Sequence, residues 1–207
     1  MPTPVAALFE IVGVPYGGAV AWGSRVPESA PGVYVVSFTQ NPADDEGREE
    51  CPISMAALEQ LMETRPAVTV DGEPATVDNL ANRLSAFWLS DEPVLYIGKA
   101  TSLGSRVNSY YRTKLGARSP HAGGWWLKTL TCLDDLAVHY GPTLDTDRSP
   151  SVAAAEAAES QMVRHFVQGV SDSTRQSLWD QAHPLPFANL RHPKGPTKAH
   201  AIRRATG

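Results

Sequence analysis

Residues 93–112, PVLYIGKATSLGSRVNSYYR, constrain the fold more tightly than any other stretch of the chain. An apolar run ends at Gly98 and a Ser/Gly-rich turn follows. Leu103, Val107, Tyr111 and Leu115 then recur every fourth residue, the period of a helix with one apolar stripe. The stretch therefore predicts a strand, a turn and a helix from about 103 to 115. In the strand, alternation puts Val94, Tyr96 and Gly98 on one face and Leu95 and Ile97 on the other. In the helix, Arg106 and Tyr110 stand at i and i+4, so their side chains point the same way.

Other segments supply the partners such a unit needs. GVYVVSF, residues 32–38, is β-branched, aromatic and alternating, which predicts a strand. Tyr34, Val36 and Phe38 share one of its faces, Val33 and Val35 the other. LAVHYGP, residues 136–142, predicts a third strand, and GAVAWG, residues 18–23, offers a short further one. SMAALEQLMETRP and TVDNLANRLSAFWLSD read as helices of an acidic insertion at about 40–92. HAGGWWLKTL predicts a short helix, with Trp125 and Trp126 as core residues. The longest helix is SVAAAEAAESQMVRHFVQGV, residues 151–170, with Val152, Ala155, Met162, Val163, Phe166 and Val170 as its apolar stripe. Glu159 falls inside that stripe and Glu156 near its edge. A carboxylate turned toward a core needs a partner, and a cation would serve.

Charge is unevenly spread. Residues 1–92 hold 4 basic and 14 acidic side chains, a balance of −10, and the remainder carries +6, so the chain totals −4. Residues 93–133 contain no Asp or Glu at all. Such asymmetry points to a surface that faces a polyanion. The two cysteines, Cys51 and Cys132, sit in no metal-binding spacing and fit a reduced, cytoplasmic protein. The N-terminal residues lack a basic leader pattern, and no apolar run is long enough to span a bilayer, so no membrane association is expected.

GVY at 32–34, YIG at 96–98, an arginine eight residues after that glycine, and Glu159 on a later helix together resemble the GIY-YIG nuclease family. The resemblance implies a mixed α/β (α+β) domain, a three-stranded sheet flanked by helices, with a helical insertion between the first two motif strands. It would run from about 22 to 190, after an N-terminal extension, 1–21, and before a basic C-terminal tail, 191–207, whose end is expected to be flexible. It also implies a metal-dependent endonuclease that hydrolyses DNA phosphodiester bonds, of restriction or DNA-repair type. The catalytic set would be Tyr34, Tyr96, Arg106, Tyr110, Glu159 and Asn189, with Asn189 in PFANLRHP closing the domain.

The chemistry suits these residue types. A water must lose a proton, phosphoryl charge must be neutralised and the leaving 3′ oxygen stabilised. Tyr34 is the candidate for activating water, if a cation such as Lys99 favours its phenolate. Tyr96 would bond a phosphate oxygen or the water, and Tyr110 would assist in orientation. Arg106 would clamp two phosphate oxygens with its planar fork. Glu159 would hold Mg²⁺, or Mn²⁺ in its place, since magnesium commonly takes one or two carboxylates and fills its octahedron with water and phosphate. Gly98 would let the backbone approach a phosphate. Lys99, Arg112, Lys114 and His121 would contact substrate, and Arg118 and Lys128 would extend a positive floor that attracts phosphates whatever their sequence.

Partners are therefore expected to be DNA and, for double-strand cleavage from one site per chain, a second copy in a homodimer. Two readings from other classes stand beside this one: a nucleic-acid-binding module that does not cut, and a protein-interaction domain that uses the acidic lobe.

Overall fold

The structure is a computed structural model and describes residues 2–117 and 124–204. The fold is mixed, with helices around antiparallel sheets. The main sheet has four strands, not three: β1 (Gly18–Ala21), β2 (Gly32–Ser37), β5 (Val94–Ala100) and β6 (Ala137–Pro142), in the order β1-β6-β2-β5. The extra strand comes from GAVA in the expected extension, which pairs antiparallel with β6. Ahead of it, α1 (Val5–Ile11) buries Val5, Leu8 and Phe9. That i, i+3, i+4 stripe is short and flanked by prolines, so the segment looks like an appendage in sequence but is core in space.

Helix α5 (Val152–Gly169) and α1 cover one face of this sheet. Ala158, Met162, Val163 and Phe166 pack there against Val33, Val35, Val94 and Ile97. Val152, expected in the stripe, is instead exposed at the first turn. The opposite face carries Tyr34 and Val36 and is covered by α4 (Leu103–Arg112), the 3-10 helix Trp125–Thr129 and the insertion. Trp126 is fully buried there.

The alternation expected in β5 is broken. Val36 pairs with Tyr96 but Ser37 pairs with Val94, so Leu95 is an extra residue. A bulge of this kind rotates the strand locally. Leu95 and Tyr96 accordingly both join the core on the α4 side, while Val94 and Ile97 face α5.

The insertion forms α2 (Met55–Thr64), β3 (Val68–Val70), β4 (Glu73–Pro74) and α3 (Val77–Ser85). Its Leu58, Leu80, Leu84, Phe87 and Trp88 belong to the same core as Tyr34, so it is built onto the sheet rather than hung beside it. After α6 (Asp172–Ser177), the basic tail ends in β7 (Ile202–Arg204), which pairs with β3 in a second sheet, β4-β3-β7. Residues 202–204 of the basic tail are thus held in a sheet. Among the described residues, no helix is long and apolar enough to cross a membrane.

Helix α4 ends at Arg112, earlier than its stripe predicts. Thr113 is extended and its hydroxyl donates to the Ser109 carbonyl at 2.7 Å. The Lys128 ammonium donates to the carbonyls of Tyr110, at 2.7 Å, and of Tyr111 and Thr113. A cation on these last carbonyls is a C-terminal cap. Burial lowers the Lys128 pKa to about 8. Lys128 therefore serves the end of this helix.

Candidate active site at the free edge of β5

Strand β5 is the last of its sheet, and the candidate residues gather around its free edge. Tyr34 on β2 and Gly98 on β5 are direct register partners, and Tyr96 lies one step along the same face. The Tyr34 and Tyr96 rings are 5.8 Å apart, and Tyr96 and Tyr110 are also 5.8 Å apart. A methyl group on Gly98 would stand 2.6 Å from the Tyr96 ring and 2.8 Å from the Tyr34 ring. Gly98 therefore makes room for two tyrosines, a different task from admitting a phosphate to the backbone.

The two hydroxyls are not equivalent. Tyr34 is 1% exposed, and its oxygen is buried without a completed hydrogen bond. Burial pushes its pKa well up, the Tyr96 hydroxyl adds to the rise, and Arg106 opposes it. Arg106, not Lys99, is the cation that acts on this phenol. Tyr96 is also raised by burial, but Tyr34 and Arg106 lower it. Tyr96 lines the clefts described next, whereas Tyr34 is one layer behind.

A cleft of about 450 Å³ is lined by Tyr96, Lys99, Glu156, Glu159, Asn189, Arg191 and Lys194 among others. An adjoining cleft of about 260 Å³ shares Tyr96, Lys99, Glu156 and Glu159 and adds Arg106. Arg106 is exposed on α4, and no carboxylate among the described residues is within ion-pair distance of it. Glu159 is partly buried on α5 and likewise has no ion-pair partner among them. Burial raises the Glu159 pKa, and the charges of Lys99 and Arg106 pull it back. A half-buried carboxylate that faces a cleft and lacks an ion-pair partner among the described residues suits a cation. Among the described residues, no three His, Cys, Asp or Glu side chains cluster to hold a metal. Glu156 is committed elsewhere, to the Lys99 ammonium at 2.5 Å, and that bond lowers its pKa.

Asn189 closes the edge itself. Its Oδ1 accepts from the Ile97 N–H at 2.9 Å, and its Nδ2 donates to the Ile97 carbonyl at 2.8 Å. The neighbouring Ala188 N–H donates to the Leu95 carbonyl at 2.9 Å. Both ends of the amide are engaged, so Asn189 positions β5.

The remaining candidates are further away or differently employed. The Tyr110 hydroxyl donates to the Gly124 carbonyl, and burial drives its pKa well up, so its role is to pin the chain beside α4. Arg112 and Lys114 line neither cleft. His121 and Arg118 lie outside the described residues. Conversely, Arg191, His192 and Lys194 line the larger cleft. Their signal in sequence is the acid-free basic run directly after PFANL. No family model, curated protein or solved structure matches the chain.

Proposed function

We propose that this chain is a metal-dependent endonuclease of the GIY-YIG kind, which hydrolyses DNA phosphodiester bonds at the free edge of β5. The observation that carries the reading is the meeting of Glu159 and Arg106, from separate helices, beside Tyr96, each without an ion-pair partner among the described residues. A carboxylate and a guanidinium lining one cleft would form an ion pair in a merely structural site. Here the two stay apart around an open cleft, which suits a third body between them. The arrangement of the motif strands also supports it: GVY and YIG pair antiparallel, with α4 toward one face and α5 on the other.

In the reaction, oxygen from water bonds to phosphorus while the bond to the 3′ oxygen breaks, leaving a 5′ phosphate and a 3′ hydroxyl. Arg106 holds two non-bridging oxygens and offsets the charge that grows on them. Tyr96 orients the water from the cleft side. Burial raises both phenols, so Tyr96 and Tyr34 keep their own protons and orient the water rather than deprotonate it. The proton that the water loses passes to solvent, and the leaving 3′ oxygen takes one from solvent to become the hydroxyl. Glu159 would hold a divalent cation, Mg²⁺ or Mn²⁺. When bound, that ion would stabilise charge on the leaving oxygen. Lys99 is positioned by Glu156 at the cleft rim, where it adds to the positive potential.

The test is cutting of supercoiled plasmid and of branched, damaged and modified duplexes, with Mg²⁺ and with EDTA, by wild type and Arg106→Ala. Metal-dependent cutting that the substitution abolishes supports the reading. Salt-sensitive binding with no cutting on any substrate contradicts it.

A further inference from the structure

The far wall of the larger cleft is a basic hairpin, residues 190–198. It is firmly braced. Arg191 bridges Thr197, the His192 N–H donates to the Pro196 carbonyl at 2.9 Å, and the Lys198 N–H donates to the Leu190 carbonyl at 2.9 Å. The Arg191 Nε donates to the Gly195 carbonyl at 3.2 Å. Below it, the buried Lys198 ammonium donates to the carbonyls of Pro186 and Phe187 at 3.0 and 2.9 Å. That ties the hairpin to the segment that carries Asn189.

At the tip, Lys194 has a φ of 55°. This left-handed conformation is strained for lysine and natural for glycine. Strain held in place by a braced loop is often found where a ligand is gripped. Lys194 and Arg191 are both exposed, and no carboxylate among the described residues is within ion-pair distance of either. Lys194 acts electrostatically on Glu156 across the cleft. The cleft thus has Tyr96, Lys99 and Glu159 on one side and two cations without ion-pair partners among the described residues on the other.

We propose that Arg191 and Lys194 form a second phosphate-binding strip, which takes a DNA phosphate adjacent to the scissile one and fixes the path of the strand through the cleft. The proposal rests on the nuclease reading for its substrate, but its test is a binding measurement made without metal. The full chain is titrated with a labelled DNA duplex in EDTA over a range of salt concentrations, as wild type, Lys194→Gly, and Lys194→Gly combined with Arg191→Gln. Thermal unfolding and plasmid nicking are followed in parallel.

Lys194→Gly is expected to unfold no earlier than wild type, because glycine relieves the strained φ. It should nonetheless bind DNA several-fold more weakly at about 0.1 M salt. The slope of log K against log salt should become shallower by about 0.9 for each phosphate that the variant no longer neutralises. The double variant should show a larger drop in both affinity and slope. In nicking, KM should rise while kcat holds. Affinity and slope equal to wild type in both variants would overturn the strip, as would a wild type whose DNA binding does not respond to salt. Nicking absent from the wild type, with binding weakened as expected, would retain the strip and overturn the nuclease reading instead.

Discussion

Asn189 offers both ends of its side-chain amide to the backbone of Ile97, accepting at 2.9 Å and donating at 2.8 Å. It thus acts as a one-residue partner strand for the free edge of β5. An unpaired edge is open to water and to stray pairing. Removing this partner frees the stretch that carries Tyr96 and Gly98. Asn189→Ala should lower stability by about 2 kcal/mol, the order expected when two hydrogen bonds are removed from groups that water can then reach. Hydrogen exchange at the Ile97 amide should quicken more than exchange in β6. Equal protection in the two strands would argue against this role.

Gly98→Ala should be costly for its size. The added methyl would meet the Tyr96 ring at 2.6 Å and the Tyr34 ring at 2.8 Å, and both rings are buried. Overpacking of this kind costs about 1–3 kcal/mol. Denaturant unfolding and the near-ultraviolet tyrosine signal should change together. A variant with unchanged stability and spectrum would show that the two rings can move apart at no cost.

In the proposed nuclease, the raised pKa of Glu159 would set a pH limit on metal binding. Only the carboxylate binds the ion, so protons compete with it. Because burial lifts the pKa above the usual glutamate range, Mg²⁺ or Mn²⁺ affinity should start to fall on acidification at a higher pH than for an ordinary glutamate. Titration of Mn²⁺ binding against pH measures this, and Glu159→Gln should abolish the pH-dependent binding.

Lys198 gives stability its own pH dependence. It is 3% exposed, and burial lowers its pKa to about 7 from the usual 10.5. Between those two values the unfolded chain binds the extra proton, so unfolding free energy should rise with pH through this window. Above about pH 10 the raised tyrosines reverse the sign, because the unfolded phenols ionise first. Lys198→Met should flatten the rise between about pH 7 and 10 in urea unfolding. A slope equal to wild type would mean that Lys198 keeps its proton in the folded protein at these pH values.

Periodicity makes much of the site legible. The alternation of GVYVVSF puts Tyr34, Val36 and Phe38 on one face, and the four-residue stripe of α4 leaves Arg106 at its edge. The stripe of α5 likewise turns Glu159 toward the core. What periodicity cannot show depends on the partner segment. The Leu95 bulge exists only in the pairing of β5 with β2, so simple alternation assigns Val94 and Tyr96 to one face, whereas they lie on opposite ones. Asn189 and the 190–198 hairpin are distant in sequence from the edge they close, and no local pattern announces their meeting. Lys128 reads as one more cation in an acid-free stretch until the end of α4 is seen beneath it. In α1, three buried side chains in seven residues are too short a stripe to stand out between prolines.

The proposed function requires that Glu159 and Arg106 form a hydrolytic site around DNA. Nicking of supercoiled plasmid in Mg²⁺ by wild type and by Glu159→Gln, with folding of both checked by thermal unfolding, tests it most directly. The substitution keeps the shape of the side chain and removes its charge. Nicking by wild type that falls at least about a hundredfold in a folded Glu159→Gln, the order of effect that transition-state charge stabilisation supplies, is the predicted result. Equal nicking by both proteins would contradict the account.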